Sequence, residues 1–334
     1  MRKVVKLTTD VKKQHTVPRF LLDNFGFGGS GKRRRLYTFD KQNGRIFQQS
    51  VYDATTRNTF YNIEGHPDRA SLEPILGIYE SEASPALKKI LETKDLSTLS
   101  SEERHNIATF VAIQRARSYG ELMRISAIVD ALSDKLDSMG ASPEQIETEL
   151  GLPDSSERKN SFLSLILNQK EVVELLLNKS WILYESTNEM PFYISDNPVT
   201  LHNSIDMGPF GNLGIGLKGI QIHLPLSPTL TLALTCPSIA EQAIKAKNQV
   251  QELMVKAPHM LSHLKRPFSL IEYGNAYEKG TPIKQTSDNV RFLNSLQVQF
   301  SEQYVFSGQN DFSLAQEMIG DNEKYKMGMR MQVN

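Results

Sequence analysis

The hydrophobic period of this chain changes near residue 180, and this change limits the folds it can adopt more than any other feature. Before it, apolar residues recur at helical spacing, as at Leu72, Ile75, Leu76 and Tyr79. After it, short β-branched and aromatic runs such as residues 220–224 are bounded by Pro, Gly and Asn, which is typical of strands. The pattern predicts an α+β protein whose helical half, about 60–180, packs on a mainly antiparallel C-terminal sheet, about 181–306.

The helical half contains one strong start signal and one interruption. Ser100 and Glu103 form a capping box, from which a long central helix is predicted to about Met139. An earlier helix begins near Ser71 and is predicted to break at Pro85 before a second resumes. Shorter helices are predicted at 143–150 and 157–178.

Strand signals flank this half. Asn43-Gly44 between two strand-like runs predicts an N-terminal β-hairpin. In the second half, one sheet is predicted, with helices in between and a loose tail at the end. The predicted strands cover residues 181–185, 192–195, 220–224, 229–234, 268–273 and 304–306, the helices 239–256 and 288–301, and the tail 320–334.

Composition excludes several classes of protein. Lys plus Arg equals Asp plus Glu at 38 each, so no global charge attracts nucleic acid or an anionic membrane. A single cysteine, Cys236, excludes an internal disulfide and a multi-cysteine metal site, and fits a reducing compartment. No apolar run approaches the roughly 18 residues of a spanning helix, so we expect a cytoplasmic protein without a membrane partner.

The first candidate for chemistry is His15, in the segment Gln14-His15-Thr16-Val17-Pro18. The proline restricts the backbone before it, so the histidine lies ahead of a turn with an anchored helix behind. It could be a general base or a metal ligand. The alternative is a histidine that only hydrogen-bonds the core.

The second candidate is Asp196 with Asn197, directly before Pro198. An Asx turn would hold the carboxylate in a defined direction, where it could bind a metal or orient a histidine. Turn formation alone is the alternative.

The third candidate set lies on two helical faces. Glu73 and Glu80 share one face, with Gly77 removing side-chain bulk between them, and Gln114 and Arg117 share another. Charged residues at this spacing usually form a solvated stripe. If the two faces meet, the carboxylates and the arginine would be partly buried and would need pairing or a cation.

The motifs occur in a fixed order that resembles one family. They are Gln14-His15-x-Val17-Pro18, Gln114-x-x-Arg117, Ser195-Asp196-Asn197-Pro198 and Pro225-Leu226-Ser227-Pro228. The order resembles the bacterial domain-of-unknown-function family DUF4238 over about residues 11–306, which implies a single family domain and the same α+β layout. The resemblance also selects polar positions, namely His15, Glu73, Glu80, Gln114, Arg117, Asp196 and Asn197. It implies no function.

The leading functional hypothesis is a metal-assisted, nuclease-like hydrolase acting on a phosphodiester or nucleotide. In it His15 is the general base or a metal ligand, and Gln114 and Arg117 bind the phosphate, with Asn197 in the same site. The metal ligands are Glu73, Glu80 and Asp196. Their hard oxygen atoms favour Mg²⁺ or Mn²⁺.

Two other interpretations stay open. The same residues could form a buried structural network in a non-catalytic protein that binds a protein, nucleic acid or small ligand through another surface. A role in phage defence concerns biology rather than chemistry and would be compatible with a nuclease. An open cavity at these groups favours an enzyme or ligand site, and a closed network favours structure.

Overall fold

The computed structural model describes residues 6–140, 154–206, 211 and 213–330 of the chain, which adopts an α+β fold. The helices are α1 (Arg19–Leu22), α2 (Glu73–Thr93), α3 (Ser101–Ala116), α4 (Tyr119–Ser138), α5 (Ser155–Leu167), α6 (Lys170–Leu177), α7 (Pro237–Lys256), α8 (Pro267–Lys279), α9 (Ser287–Phe300) and α10 (Ser313–Asp321). The strands are β1 (Lys13–His15), β2 (Phe27–Gly28), β3 (Arg34–Asp40), β4 (Arg45–Ser50), β5 (Thr56–Asn58), β6 (Ser180–Glu185), β7 (Ile194–Ser195), β8 (Thr200–Asn203), β9 (Ile220–Ser227), β10 (Leu230–Thr235), β11 (Ile283–Lys284) and β12 (Tyr304–Ser307). Among these residues, no helix combines the length and apolarity needed to cross a bilayer.

The N-terminal hairpin is confirmed and forms the centre of a larger sheet. β3 and β4 pair in antiparallel register around a turn in which Gly44 has a φ of 70°, a conformation that glycine adopts without strain. The strand order of this sheet is β2–β3–β12–β7, with β4 on the other edge of β3. We expected β7 and β12 in the C-terminal sheet, but both pair into the N-terminal one, which joins distant parts of the chain.

The C-terminal sheet has the order β11–β6–β10–β9–β8 and is antiparallel except for the β11–β6 pair. Every residue of β10 is buried, so its strand consists of leucine, alanine and threonine with no charged residue. Helices α2 and α3 contribute to the same hydrophobic cluster as this sheet, through residues such as Ile90 and Phe110 against Leu224 and Leu232. The largest hydrophobic cluster therefore lies between the helical half and the sheet, as predicted.

The predicted central helix is two helices. The capping box at Ser100 is confirmed, but the helix that it starts ends at Ala116. Ser118 then has extended backbone angles and its side chain accepts from the amide of Glu121, which caps a new helix, α4. A serine that caps the following turn competes with helix continuation, and this explains the break.

The second predicted long helix, at 157–178, is also divided, into α5 and α6. The helix predicted at 143–150 lies outside the described residues.

The break predicted at Pro85 is wrong, because α2 continues through this residue. Proline removes one backbone hydrogen bond from a helix interior. The buried residues Ala83, Ala86 and Ile90 keep the flanking turns packed on the core, whereas Pro85 itself is exposed. Tertiary packing therefore outweighs the local preference.

The strand predicted at 268–273 is wrong as well, since these residues lie in α8. Pro267 occupies the first turn of this helix, a favoured position for proline. α8 packs closely on α7, and a Cβ at Gly274 would lie 2.5 Å from the Cβ of Lys247. A short apolar run cannot distinguish a strand from a buried helix face, which explains the error.

The loose tail expected at 320–334 is not seen in its first part. The Nζ atom of Lys41 donates to the carbonyl of Met327 at 3.3 Å, and Arg330 makes two hydrogen bonds to Glu302, at 2.6 and 3.0 Å. Residues 331–334 lie outside the described part of the chain. The segment 327–330 is therefore part of the fold.

Replacing Pro85 with alanine should stabilise the protein. The new amide can donate to the carbonyl of Ser81, one turn earlier, and the clash of the ring with that turn is removed. We expect the free energy of unfolding in urea to rise by about 1–3 kcal/mol. Ser84→Ala is the matched control, because it adds no backbone hydrogen bond. Unchanged or lower stability of Pro85→Ala would contradict an uninterrupted α2.

Candidate functional site

His15 ends β1, which pairs with β5 in a small two-stranded ribbon. Its Nε2 atom lies 3.0 Å from the carbonyl oxygen of Tyr52. Because a carbonyl can only accept, Nε2 carries the proton and Nδ1 keeps its lone pair. Nδ1 has no hydrogen bond to any described residue, and burial lowers the pKa of the imidazole. His15 is thus a neutral imidazole whose Nδ1 atom is free to accept a proton.

Arg117 lies just after α3 and is completely buried. Its Nε donates to Oε1 of Gln114 at 2.9 Å, and its Nη1 donates to Oε1 of Glu80 at 2.7 Å. Gln114 in turn donates to the carbonyl of Thr16 at 2.9 Å, so both ends of its amide are used. The predicted meeting of the two helical faces therefore occurs, and Gln114 positions the arginine.

One nitrogen of this guanidinium is left over. The Nη2 atom of Arg117 is buried and has no hydrogen-bond partner among the described residues. An unsatisfied buried donor on a charged group is costly, so the site gains when a water or ligand oxygen reaches it.

Glu73 begins α2, on the same helix face as Glu80. Its carboxyl group makes no hydrogen bond or ion pair with a described residue, and burial together with the negative charge of Glu80 raises its pKa to about 7. Gly77, between the two glutamates, is exposed, and a Cβ there would meet nothing within 4 Å. The unpaired carboxyl of Glu73 therefore lies within electrostatic reach of the Arg117–Glu80 ion pair.

Two residues outside the predicted set complete this cluster. Gln14 is fully buried, accepts from the amide of Tyr61 at 2.7 Å and donates to Ser71 at 3.2 Å. The hydroxyl of Tyr61 donates to the carbonyl of Arg117 at 3.2 Å. Gln14 stands next to His15 in the motif, whereas Tyr61 meets the arginine through the fold.

A cationic rim adjoins His15. The guanidinium of Arg19 lies 4.9 Å from the centre of the Tyr52 ring, and the ammonium of Lys32 lies 5.1 Å from it. The His15 ring packs edge-on against the same tyrosine. Both cations are exposed, so they present positive charge to solvent beside the imidazole.

Asp196 belongs to another cluster. Its carboxylate accepts from the backbone amides of Glu302, Gln303 and Tyr304, at 2.8, 2.8 and 2.9 Å. Burial raises its pKa, against these donors and the charge of nearby Lys41. The charged groups that influence Asp196 do not include Glu73 or Glu80. The carboxylate therefore fixes the backbone at the start of β12, which is a structural role of the kind given above as the alternative to metal binding.

Lys41 is the buried cation of that second cluster. Its ammonium donates to the carbonyls of Val298 and Ser301, both at 2.7 Å, and burial lowers its pKa to about 8. Asn197, the next predicted residue, donates to the carbonyl of Phe300 at 3.2 Å. The residues predicted as one site thus divide into two groups, around Arg117 and around Lys41.

The donor set for a metal is correspondingly smaller than expected. Within the described part of the chain, no three His, Cys, Asp or Glu side chains are grouped as metal ligands. Glu73 and Glu80 remain the carboxylates that could share an ion, with water and substrate oxygens as further ligands.

Comparison with known proteins assigns the chain to a family. No curated protein and no solved structure matches the chain. The model of a family described as a protein of unknown function, DUF4238, matches residues 13–311, which contain both polar clusters apart from Arg330. With most of its length matched, the chain belongs to the DUF4238 family.

Proposed function

We propose that the protein is a hydrolase that cleaves a phosphodiester or nucleotide at the site formed by His15, Glu73, Glu80 and Arg117. One observation carries the proposal. Two acid–base groups without hydrogen-bond partners, the Glu73 carboxyl with a pKa of about 7 and the Nδ1 atom of His15, flank the Arg117–Glu80 ion pair. A titratable group moved towards neutral pH and left unpaired is typical of a site for proton transfer.

These groups can divide the chemistry between them. His15 Nδ1 takes a proton from the attacking water as the water oxygen bonds to phosphorus. Glu73, protonated, gives its proton to the leaving oxygen as that phosphorus–oxygen bond breaks. The proton on His15 then returns to Glu73 through solvent, which restores the resting state.

The surrounding charge supports an anionic substrate. Arg19 and Lys32 would attract a phosphate group to the face of the site beside His15. The buried charge of Arg117 acts in a medium of low polarity, where it favours negative charge that develops on a phosphoryl group. Glu80 and Gln114 position this guanidinium.

A divalent metal ion would compete with the proton on the carboxyl of Glu73. A carboxyl must be deprotonated to bind Mg²⁺ or Mn²⁺, so an ion between Glu73 and Glu80 would displace the proton that burial favours. Metal-assisted cleavage and proton transfer by Glu73 are therefore alternative uses of one carboxyl. Activity with EDTA and with added Mn²⁺ separates them.

Glu73→Gln should abolish most of the activity. Because the amide cannot transfer a proton, we expect kcat for bis(p-nitrophenyl) phosphate, or for single-stranded DNA, to fall by about 10²- to 10⁴-fold. Wild-type activity should change with an apparent pKa near 7. The measurement is initial rate against pH at saturating substrate.

The matched control for this experiment is Glu82→Gln, an exposed glutamate of the same helix, which should keep full activity. His15→Asn retains the size of the ring in part and should lose activity similarly to Glu73→Gln. If wild type cleaves no phosphodiester with or without Mn²⁺, or if Glu73→Gln and Glu82→Gln are equally active, the proposal is wrong.

The unpaired carboxyl should also appear in the pH dependence of stability. Glu73 has a pKa of about 4.5 in the unfolded state and about 7 in the folded state. Below pH 4.5 it is protonated in both states and does not destabilise the fold. Its destabilisation of the folded state then grows as the pH rises, until the pH passes 7. We expect Glu73→Gln to gain about 1–3 kcal/mol of stability relative to wild type between pH 4.5 and 8, after allowance for solvent screening. Urea unfolding at both pH values measures this. A constant difference would mean that the carboxyl is not buried in the folded state.

A role in phage defence is testable through the same histidine. If the protein cleaves nucleic acid in cells, bacteria that express wild type should grow more slowly than bacteria that express His15→Ala at equal protein levels. Equal growth of the two strains would contradict toxicity through this site.

A further inference from the structure

A cavity lies beside the α3–α4 break. Its volume is about 570 Å³, within the range of small-molecule sites. Its walls come from the end of α3 and the start of α4, from β8 and the residues before it, and from the end of α9. Gly211 and residues 213–217 and 328–330 complete them. The groups of the proposed acid–base site do not line it.

Three arginines line this cavity, and one of them has no salt bridge. Arg124 is bound by Glu121, and Arg330 is bound by Glu302. The side chain of Arg115 makes no hydrogen bond or salt bridge to a described residue, although the charge of Glu121 reaches it electrostatically. The guanidinium of Arg115 is partly desolvated, and this burial lowers its pKa. An anion in the cavity would supply the missing counter-charge.

The start of α4 adds to this preference. Gly120, the second residue of α4, forms part of the wall, so a ligand can approach the helix end that carries partial positive charge. A Cβ at this position would lie 3.5 Å from Nδ2 of Asn197, which shows how closely the wall is packed.

One acceptor in the wall also lacks a partner. The Oδ1 atom of Asn197 is buried and accepts no hydrogen bond from a described residue, while its Nδ2 atom donates to Phe300. A buried acceptor without a donor costs free energy unless a ligand or water supplies one. The remaining wall is largely apolar, from Val199, Leu201, Leu213, Leu217 and Phe300, and the carboxylate of Glu121 in it is paired with Arg124.

We propose that this cavity binds a small organic anion with an apolar body and one hydrogen-bond donor. The anionic group pairs with Arg115 near the start of α4, the donor binds Oδ1 of Asn197, and the body packs on the leucine side chains. Each unfilled feature of the cavity thus corresponds to one part of the ligand. The site is independent of the proposed hydrolase chemistry.

The fluorescent dye 1-anilinonaphthalene-8-sulfonate tests this, since it has a sulfonate, one N–H and a fused-ring body. We expect one site per chain in a fluorescence titration of the folded protein. Arg115→Gln should raise the Kd at least 10-fold, Arg115→Lys should restore part of the affinity, and Leu213→Trp should block the cavity. N-phenyl-1-naphthylamine, which lacks the sulfonate, should bind wild type and Arg115→Gln equally.

The control is Ile78→Gln, in an apolar groove of about 940 Å³ elsewhere on the protein. This variant should keep the wild-type Kd. The proposal is overturned if Arg115→Gln and Leu213→Trp both bind the dye like wild type, or if only Ile78→Gln weakens binding. The unfolding midpoint of each variant is measured first, and dye binding is compared under conditions in which every variant is folded. If Arg115→Gln does not fold, Leu213→Trp, which blocks the cavity and leaves Arg115 in place, provides the test.

Discussion

The burial of one guanidinium, that of Arg117, holds the N-terminal ribbon and the helical half together. A charge away from water is costly unless it is paired and hydrogen-bonded. Here the partners come from α2 through Glu80, from α3 through Gln114, and indirectly from the ribbon, because Gln114 also binds the carbonyl of Thr16. Loss of one partner of such a buried pair generally costs about 3–5 kcal/mol. The elements around Arg117 must therefore keep their relative positions.

The same burial creates the chemical character of the site. The surroundings that desolvate Arg117 also favour the neutral form of the carboxyl of Glu73, which has no compensating hydrogen bond. Asp196 illustrates the opposite case, since three backbone amides occupy its oxygens. A structural carboxylate is saturated with donors, whereas Glu73 is not. This contrast separates the two polar clusters more clearly than residue type does.

Local sequence signals predict those parts of the fold that depend on neighbours in the chain. The Asn43-Gly44 hairpin, the capping box at Ser100 and the strands β9 and β10 all follow from such signals. Sheet membership does not, because β12 pairs with β3 across more than 260 residues and with β7 across more than 100. The continuity of α2 through Pro85 likewise depends on tertiary packing that no local pattern carries.

The site shows the same division. Helical spacing placed Glu73 with Glu80 and Gln114 with Arg117, and their meeting depended on packing of α2 on α3. The metal hypothesis placed Asp196 with Glu73 and Glu80, but the backbone amides of residues 302–304 bind that carboxylate. Arg115 was missed because an arginine on a helix usually signals a solvated face. Its cavity is formed by segments that are distant in sequence.

The break between α3 and α4 sets how this protein can vary in length. Arg115 and Arg117 are two residues apart, yet one lines the cavity and the other enters the buried ion pair. Insertion or deletion of one residue at Ala116–Ser118 would rotate the end of α3 by about 100° relative to α4. Arg117 would then lose its ion pair, and Arg115 would lose its place in the cavity wall, in one step. Length changes should thus be excluded from this turn, while surface loops such as the one at Gly65 can accept them.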